Sequence, residues 1–140
     1  MLRLQITEQR IATEALYQAL DDPTCGGVAI FEGRVRDHHQ GRKVRDLYYE
    51  CYRPMAEKIL AKAAQEARTR WEPSKIAIVH RIGRIPIGEA AVWIGVAAAH
   101  REEAFAACRF LIEEIKRSVP IWKRETYVDG SCAWVACLPA

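Results

Sequence analysis

The segment from Ala90 to Ala99 consists entirely of apolar residues, and it constrains the fold more than any other part of the chain. A short run of this kind, with no polar residue at alternate positions, is typical of a central β-strand buried on both faces. The run is far shorter than the roughly 20 residues that a helix needs to span a bilayer. The amino terminus also lacks the long apolar region of a signal peptide. The sequence therefore predicts a soluble, cytoplasmic protein with no membrane segment.

Hydrophobic periodicity elsewhere predicts a mixture of strands and helices. The most strongly patterned helix is predicted over 102–117, and its expected apolar stripe is Ala104, Phe105, Cys108, Leu111, Ile112 and Ile115. We expect an exposed loop over 37–43 and a turn over 83–88. The remaining predicted elements are strands at 2–6, 28–36, 47–52, 75–82, 90–99, 121–127 and 132–136, and helices at 11–20 and 54–71.

This order of elements, with several hairpin-like returns, favours an α+β fold with a mixed or antiparallel sheet over a doubly wound parallel sheet. The chain has 140 residues, of which 50% are hydrophobic, and this suits one compact core. We find no internal repeat, low-complexity tract or linker. The sequence therefore predicts a single domain over 1–140.

The net charge of +3 results from 21 basic and 18 acidic residues. Such a balance argues against a general nucleic-acid-binding protein but allows a local basic pocket for a small anion. The cysteines, at positions 25, 51, 108, 132 and 137, show neither zinc-ligand nor redox-motif spacing. We therefore expect reduced, mostly buried thiols and no metal site. His80, on a strand with Ile76 and Ile78, is interpreted as a core histidine.

Two basic groups could bind an anion. Arg34 and Arg36 fall on the same face at the end of a predicted strand, and two guanidinium groups there suit a phosphate or a carboxylate. A solvated strand end is the simpler interpretation of that composition alone. His100 and Arg101 stand at the predicted start of a helix, where free backbone donors attract anions. A cation there is unfavourable to the helix and hints at a ligand, although His100 could equally be only a cap residue.

A third basic group surrounds Pro120. Lys116 lies at the predicted C-terminal end of a helix, where a cation is favoured in any case. The turn at Pro120 would bring it near Lys123, and Arg124 adds another positive charge. Repulsion among these charges would favour the neutral amine of one lysine, which could then act as a nucleophile or a proton carrier. Trp122 could line such a site or belong to the core.

Taken together, the three groups resemble a known family. The segments GRVRDHHQG (33–41), YECYRPMAEK (49–58), HRIGRIPIGE (80–89), AAHREEAFAACRFLIEEIK (98–116) and VPIWKRE (119–125) are similar to the large, catalytic subunit of molybdopterin synthase. The likeness extends from about Gly26 to Val135 in one order. Several motifs at family-like spacing make the resemblance specific. Each of the three basic groups taken alone would be a weak signal.

The resemblance implies an α/β-hammerhead fold and a homodimer that binds two small, ubiquitin-like sulfur-carrier subunits, giving a heterotetramer. It implies that the carrier's C-terminal Gly-Gly tail ends in a thiocarboxylate and enters a pocket of the large subunit. The implied activity is that of a sulfurtransferase in molybdenum cofactor biosynthesis, which inserts two dithiolene sulfurs into cyclic pyranopterin monophosphate to give molybdopterin. No cofactor is implied. Because the sulfur arrives on the carrier, no reactive cysteine is needed.

Residue by residue, the resemblance implies that Lys116 and Lys123 are catalytic and also contact the substrate. The other substrate-binding positions that it implies are Arg34, Val35, Arg36, His100, Arg101, Arg124 and Glu125. In this family the site can receive residues from the dimer mate, so one pocket could draw on two chains.

The sequence departs from the family pattern at His38 and His39, where an asparagine is expected in one position, and in a C-terminus that ends soon after Val135. Two alternatives to an enzyme stay open. One is a non-catalytic paralogue that still binds the carrier, and the retained lysines and arginines argue against it. The other is a small RNA-binding domain that uses the basic stretch 34–45, and the even overall charge argues against that.

Overall fold

The computed structural model describes residues 2–135, which form nine strands and three helices. In chain order these are β1 (Leu2–Thr7), α1 (Thr13–Gln18), β2 (Gly27–Arg34), β3 (His38–His39), β4 (Arg42–Cys51), α2 (Arg53–Trp71), β5 (Lys75–Arg81), β6 (Gly83–Pro86), β7 (Ala90–Ala98), α3 (Arg101–Ser118), β8 (Ile121–Tyr127) and β9 (Cys132–Val135). The predicted α+β class is confirmed. None of these helices is long and apolar enough to cross a membrane.

The first sheet has the strand order β1-β5-β7-β2, in which β1 and β5 are parallel and the other pairs are antiparallel. Every residue of β7 is buried, as its apolar run predicts. Ile94 and Val96 belong to the core cluster that contains the buried residues of α2 and α3. Trp93 and Ala97 belong to a second cluster with Leu16 of α1. Strand β7 is therefore covered by helices on both faces.

The second sheet is built around β4, the longest strand. Along its length β4 pairs with β3, β6 and β8, all antiparallel, and β9 adds to the far side of β8. The segment Asp46–Tyr49 pairs with β6 and also with β8. The middle of β4 is thus a central strand, whereas β9 lies at an edge of this sheet.

Two predicted connections contain strands instead. The predicted loop over 37–43 holds β3 and the start of β4, joined by a tight turn in which Gln40 and Gly41 have φ values of 50° and 78°. The predicted turn over 83–88 holds β6. Neither segment shows a clear apolar alternation in its sequence. Both pair with the backbone of β4, and β6 also buries the Ile85 side chain in the core.

Helix α3 carries the predicted apolar stripe with one correction. Its buried residues include Ala104, Cys108, Leu111 and Ile115, but Phe105 is 66% exposed. Phe105 follows Ala104 by a single residue, about 100° around the helix, and so points away from the stripe. The helix packs against α2 and against strands β2 and β7.

The prediction of reduced, mostly buried thiols is correct only in part. The four described cysteines are free thiols, and Cys108 is buried. Cys25 and Cys51 are half-buried, and Cys132 is exposed because it begins the edge strand β9. Cys137, like the predicted strand end at residue 136, lies outside the described residues.

We expect Leu111→Ala to lower the free energy of unfolding by about 2–5 kcal/mol, since truncating a fully buried leucine leaves a cavity under α3. The matched control is Arg109→Ala, on the exposed side of the same helix, with an expected change within about 0.5 kcal/mol. Urea denaturation measures both. Equal losses would show that the stripe does not hold this helix.

Candidate functional site

A cleft lies where the two sheets meet, beside the C-terminal end of α3. Strands β2, β5 and β7 of the first sheet and β3, β4 and β8 of the second contribute residues to its wall. Its acidic, lysine and arginine lining residues are Arg34, Arg36, Lys116, Lys123 and Glu125. The structure thus brings together the two lysines and the two arginines that the sequence singled out.

Strand alternation decides which residues of β8 face the cleft. Lys123 and Glu125 line it. Arg124, between them, points to the opposite face of the sheet, where its guanidinium lies 5.0 Å from the ring centroid of Tyr48 and 5.7 Å from that of Trp134. Arg124 therefore does not line this cleft, although the resemblance places it among the substrate-binding positions.

Side chains also alternate between the two faces over residues 34–36, at and just after the end of β2. Arg34 and Arg36 both line the cleft, and the Arg34 guanidinium is paired with Glu32. Val35 is buried in the core, and its backbone is anchored by hydrogen bonds to Glu89 at 3.1 Å and Gly88 at 2.9 Å. Val35 therefore supports the two arginines from behind and does not line the cleft.

His100 and Arg101 lie at the opposite end of α3 and do not line the cleft. His100 is the N-cap residue, but its side chain makes no capping hydrogen bond and is 80% exposed. Arg101 is also exposed. A helix rises 1.5 Å per residue, so Arg101 and Lys116 are separated by about 22 Å along α3. Within one chain, these residues are too far apart to share a small ligand.

Glu125 is a buried carboxylate in the cleft wall, 3% exposed. Its Oε1 accepts hydrogen bonds from His39 Nδ1 at 2.8 Å and from the Tyr127 hydroxyl at 3.1 Å. Desolvation and the bond to Glu125 raise the pKa of Tyr127, so the phenol keeps its proton and donates it. The Arg42 guanidinium stacks 3.5 Å from the centroid of the Tyr127 ring. Sequence inspection missed this network because its members meet only through strand pairing.

His80 is a core histidine, as predicted, and its ring also lines the cleft. Its Nδ1 lies 2.8 Å from the carbonyl oxygen of Arg81. A carbonyl can only accept, so Nδ1 carries the proton of the neutral ring. The ring meets Tyr49 edge-on, with centroids 5.3 Å apart. Burial above all, and also the positive charge of Lys116, lower the pKa of His80 to about 4.

The cleft is suited to an anionic ligand. Its two guanidinium groups can form paired hydrogen bonds with a phosphate or carboxylate. Its two lysines can stabilise developing negative charge or move a proton. Fold and cleft together define an α+β protein with a basic cleft in which guanidinium and amine groups face a common space.

The chain belongs to the MoaE protein family, whose model matches residues 6–118. The molybdopterin synthase catalytic subunit of Arabidopsis thaliana is 46% identical over 108 residues, which are 77% of this chain and 54% of that protein. The Bacillus subtilis subunit of the same name is 42% identical over 135 residues, 96% of this chain and 85% of that one. The chain spans about half the length of the plant relatives it matches.

A solved structure shares this fold. The crystal structure of molybdopterin synthase from Staphylococcus aureus superposes with a TM-score of 0.86 at 40% sequence identity. The match covers 93% of this chain and 94% of that chain. The arrangement of the two sheets and the helices is therefore that of a molybdopterin synthase structure.

We expect the free energy of unfolding to fall as the pH is lowered from 6.5 to about 4. In that window His80 has its ordinary pKa in the unfolded chain and binds a proton there. In the folded chain its ring stays neutral. The contribution is fully present above pH 6.5, and the slope in the window should approach about 1.4 kcal/mol per pH unit. Denaturation at a series of pH values measures it.

The control for this prediction is His80→Phe, which keeps an aromatic ring but cannot titrate, and which should lose the slope. Hydrogen bonds from Ser74 and Thr24 hold the pKa of Asp22 below its ordinary range, so that carboxyl titrates below the window. An unchanged slope in His80→Phe would show that another group is responsible.

Proposed function

We propose that this chain is the catalytic subunit of a molybdopterin synthase and acts in the cytoplasm as a sulfurtransferase. Its substrate is cyclic pyranopterin monophosphate, into which it inserts two dithiolene sulfurs. Each sulfur comes from the thiocarboxylated C-terminus of a small, ubiquitin-like carrier subunit. The observation that carries the proposal is the convergence of Arg34, Arg36, Lys116 and Lys123 on one cleft, in a chain of this family.

The chemistry of the cleft agrees with these reactants. Both the phosphate of the pterin and the thiocarboxylate of the carrier are anions, so both gain from a basic cleft. Arg34 and Arg36 suit the phosphate, since a guanidinium can bind two of its oxygens at once. Lys116 and Lys123 supply proton transfer and stabilisation of the oxyanion formed as sulfur leaves the carrier. The described cysteines do not line the cleft, which agrees with sulfur delivered by a partner.

A second copy of the chain completes the site in this proposal. His100 and Arg101 match substrate-binding positions of the family, yet they are exposed and about 22 Å from Lys116 along α3. Phe105 lies one turn after Arg101 on the same side of the helix and is 66% exposed. An exposed aromatic side chain beside an exposed histidine and an exposed arginine suits a contact with another protein. The start of α3 in one copy would then serve the cleft of the other.

Reconstitution tests the activity. Mixed with thiocarboxylated carrier and cyclic pyranopterin monophosphate, the chain is expected to form molybdopterin. Lys116→Ala should lower the rate about 100-fold or more while the carrier still binds. The control is Lys58→Ala, on the exposed face of α2, which should leave the rate unchanged. A folded, carrier-bound wild-type sample that forms no product would favour the non-catalytic paralogue.

Mixed dimers test the shared site. If one cleft draws on two copies, Lys116→Ala and Arg101→Ala place their defects in the same cleft of a mixed dimer and leave its other cleft intact. Combining the two inactive variants in equal amounts, with exchange of subunits, should therefore restore about a quarter of the wild-type rate. If both residues serve the cleft of their own chain, mixing restores nothing.

A further inference from the structure

Most of the charged residues that line the cleft are basic. Arg34, Arg36, Lys116 and Lys123 supply positive charge, and Glu125 supplies the one carboxylate among the described lining residues. A buried carboxylate is costly unless it is hydrogen-bonded or paired with a cation. Where the Glu125 carboxylate points therefore decides how much positive charge remains for a ligand.

Lys123 is a natural ion-pair partner for Glu125. The two residues are two positions apart on β8, and alternation puts both side chains on the face that lines the cleft. Glu125, however, is hydrogen-bonded to His39, at 2.8 Å from Nδ1 to Oε1. The Tyr127 hydroxyl donates to the same oxygen. The carboxylate is thus held by two donors from the wall of the cleft and not by Lys123.

Both donors are themselves fixed in place. His39 belongs to β3, whose pairing with β4 places residue 39 opposite Arg42. The Arg42 guanidinium stacks on the Tyr127 ring and also donates to the Ser131 hydroxyl at 2.7 Å. The His39 side chain is 23% exposed, against 4% for that of Glu125, and both residues line the cleft. Removing His39 would leave Glu125 with one of these two donors, the Tyr127 hydroxyl, and would allow the carboxylate to turn toward Lys123.

We propose that His39 is a positioning residue that holds the Glu125 carboxylate away from Lys123, so that the positive charge of Lys123 acts on the anion bound in the cleft. The inference rests on the proposed function only in taking that anion to be a phosphate group. The side-chain amide of asparagine likewise carries an N–H donor that can bind Glu125.

Phosphate binding tests this role without carrier or turnover. Inorganic phosphate is titrated into the protein, and the Arg34 and Arg36 side-chain NMR signals report its dissociation constant. His39→Ala is expected to weaken binding about tenfold, because a neighbouring carboxylate then neutralises Lys123. His39→Asn should bind within about twofold of wild type, since it keeps a donor. His39→Phe keeps a ring at this position but lacks the N–H donor, so its phosphate affinity should match that of His39→Ala. This variant is the control for a folding defect caused by the smaller alanine side chain.

A double variant decides between positioning and simple loss of structure. His39→Ala combined with Glu125→Gln should regain phosphate affinity to within about twofold of wild type, because glutamine carries no charge to neutralise Lys123. A purely structural role predicts that the double variant binds no better than His39→Ala. Wild-type affinity in both His39→Ala and His39→Phe, no recovery in the double variant, or no measurable phosphate binding by wild type would each overturn the proposal.

The reconstituted reaction supplies a second readout. There His39→Ala should raise the KM for the pterin more than it lowers kcat, since the defect lies in binding the anion. Failure of the wild-type chain to form molybdopterin would overturn the proposed function, whereas the phosphate titration would still decide the role of His39.

Discussion

The antiparallel pairing of β4 with β8 is the interaction on which the cleft depends. In its register Tyr49 lies opposite Lys123 and Leu47 lies opposite Glu125, and all four residues line the cleft. Side chains alternate along a strand, so a slip of one residue would turn Lys123 and Glu125 away and bring Arg124 into their place. The buried face of this sheet, with Val44, Leu47 and Tyr49 in the core, specifies the register. The same contacts that stabilise the sheet therefore also place the functional groups.

The second fixed point is α3, which carries Lys116 to the cleft. The helix packs on β2 and β7, and β7 is buried on both faces, so the helix has a rigid support. Lys116 and Arg117 lie in its last turn, where positive charge is favourable to the helix dipole. Lys116 therefore adds positive charge to the cleft at a place where the helix also gains from it. The cation that lowers the pKa of the buried His80 is this same lysine.

Elements with a strong apolar pattern could be predicted from the sequence. The continuous apolar run specified β7, and the stripe through Leu111 specified α3. The short strands β3 and β6 could not be predicted, because each pairs with the backbone of β4 and is too short to show apolar alternation; Ile85 is the buried residue of β6. Phe105 was wrongly included in the stripe, since composition outweighed the position of this residue around the helix.

The site was predictable only as far as local patterns reach. Lys116, Arg34 and Arg36 stood out as charges near the ends of predicted elements, and Lys123 through the turn at Pro120. The structure brings these four residues to one cleft. Val35 and Arg124 were included through motif matching, although strand alternation would have placed each on the face opposite its neighbours.

The contact between His39 and Glu125 spans 86 positions of the chain. No local pattern predicts it, because it exists only when β3, β4 and β8 are assembled into one sheet. Long-range contacts of this kind are what a sequence alone does not reveal.

Helix α3 has basic residues at both ends, and of these Lys116, at the C-terminal end, lines the cleft of its own chain. At its C-terminus, positive charge is favourable to the helix, whereas at its N-terminus Arg101 and a protonated His100 would be unfavourable. Glu102 and Glu103 in the first turn offset that cost. A cost retained at an exposed position suggests a use outside the chain. In a two-fold dimer, each α3 could end at its own cleft and begin at the partner's, and the unfavourable end would then meet an anion. The length of the helix, rather than any loop, would set the distance between the two clefts.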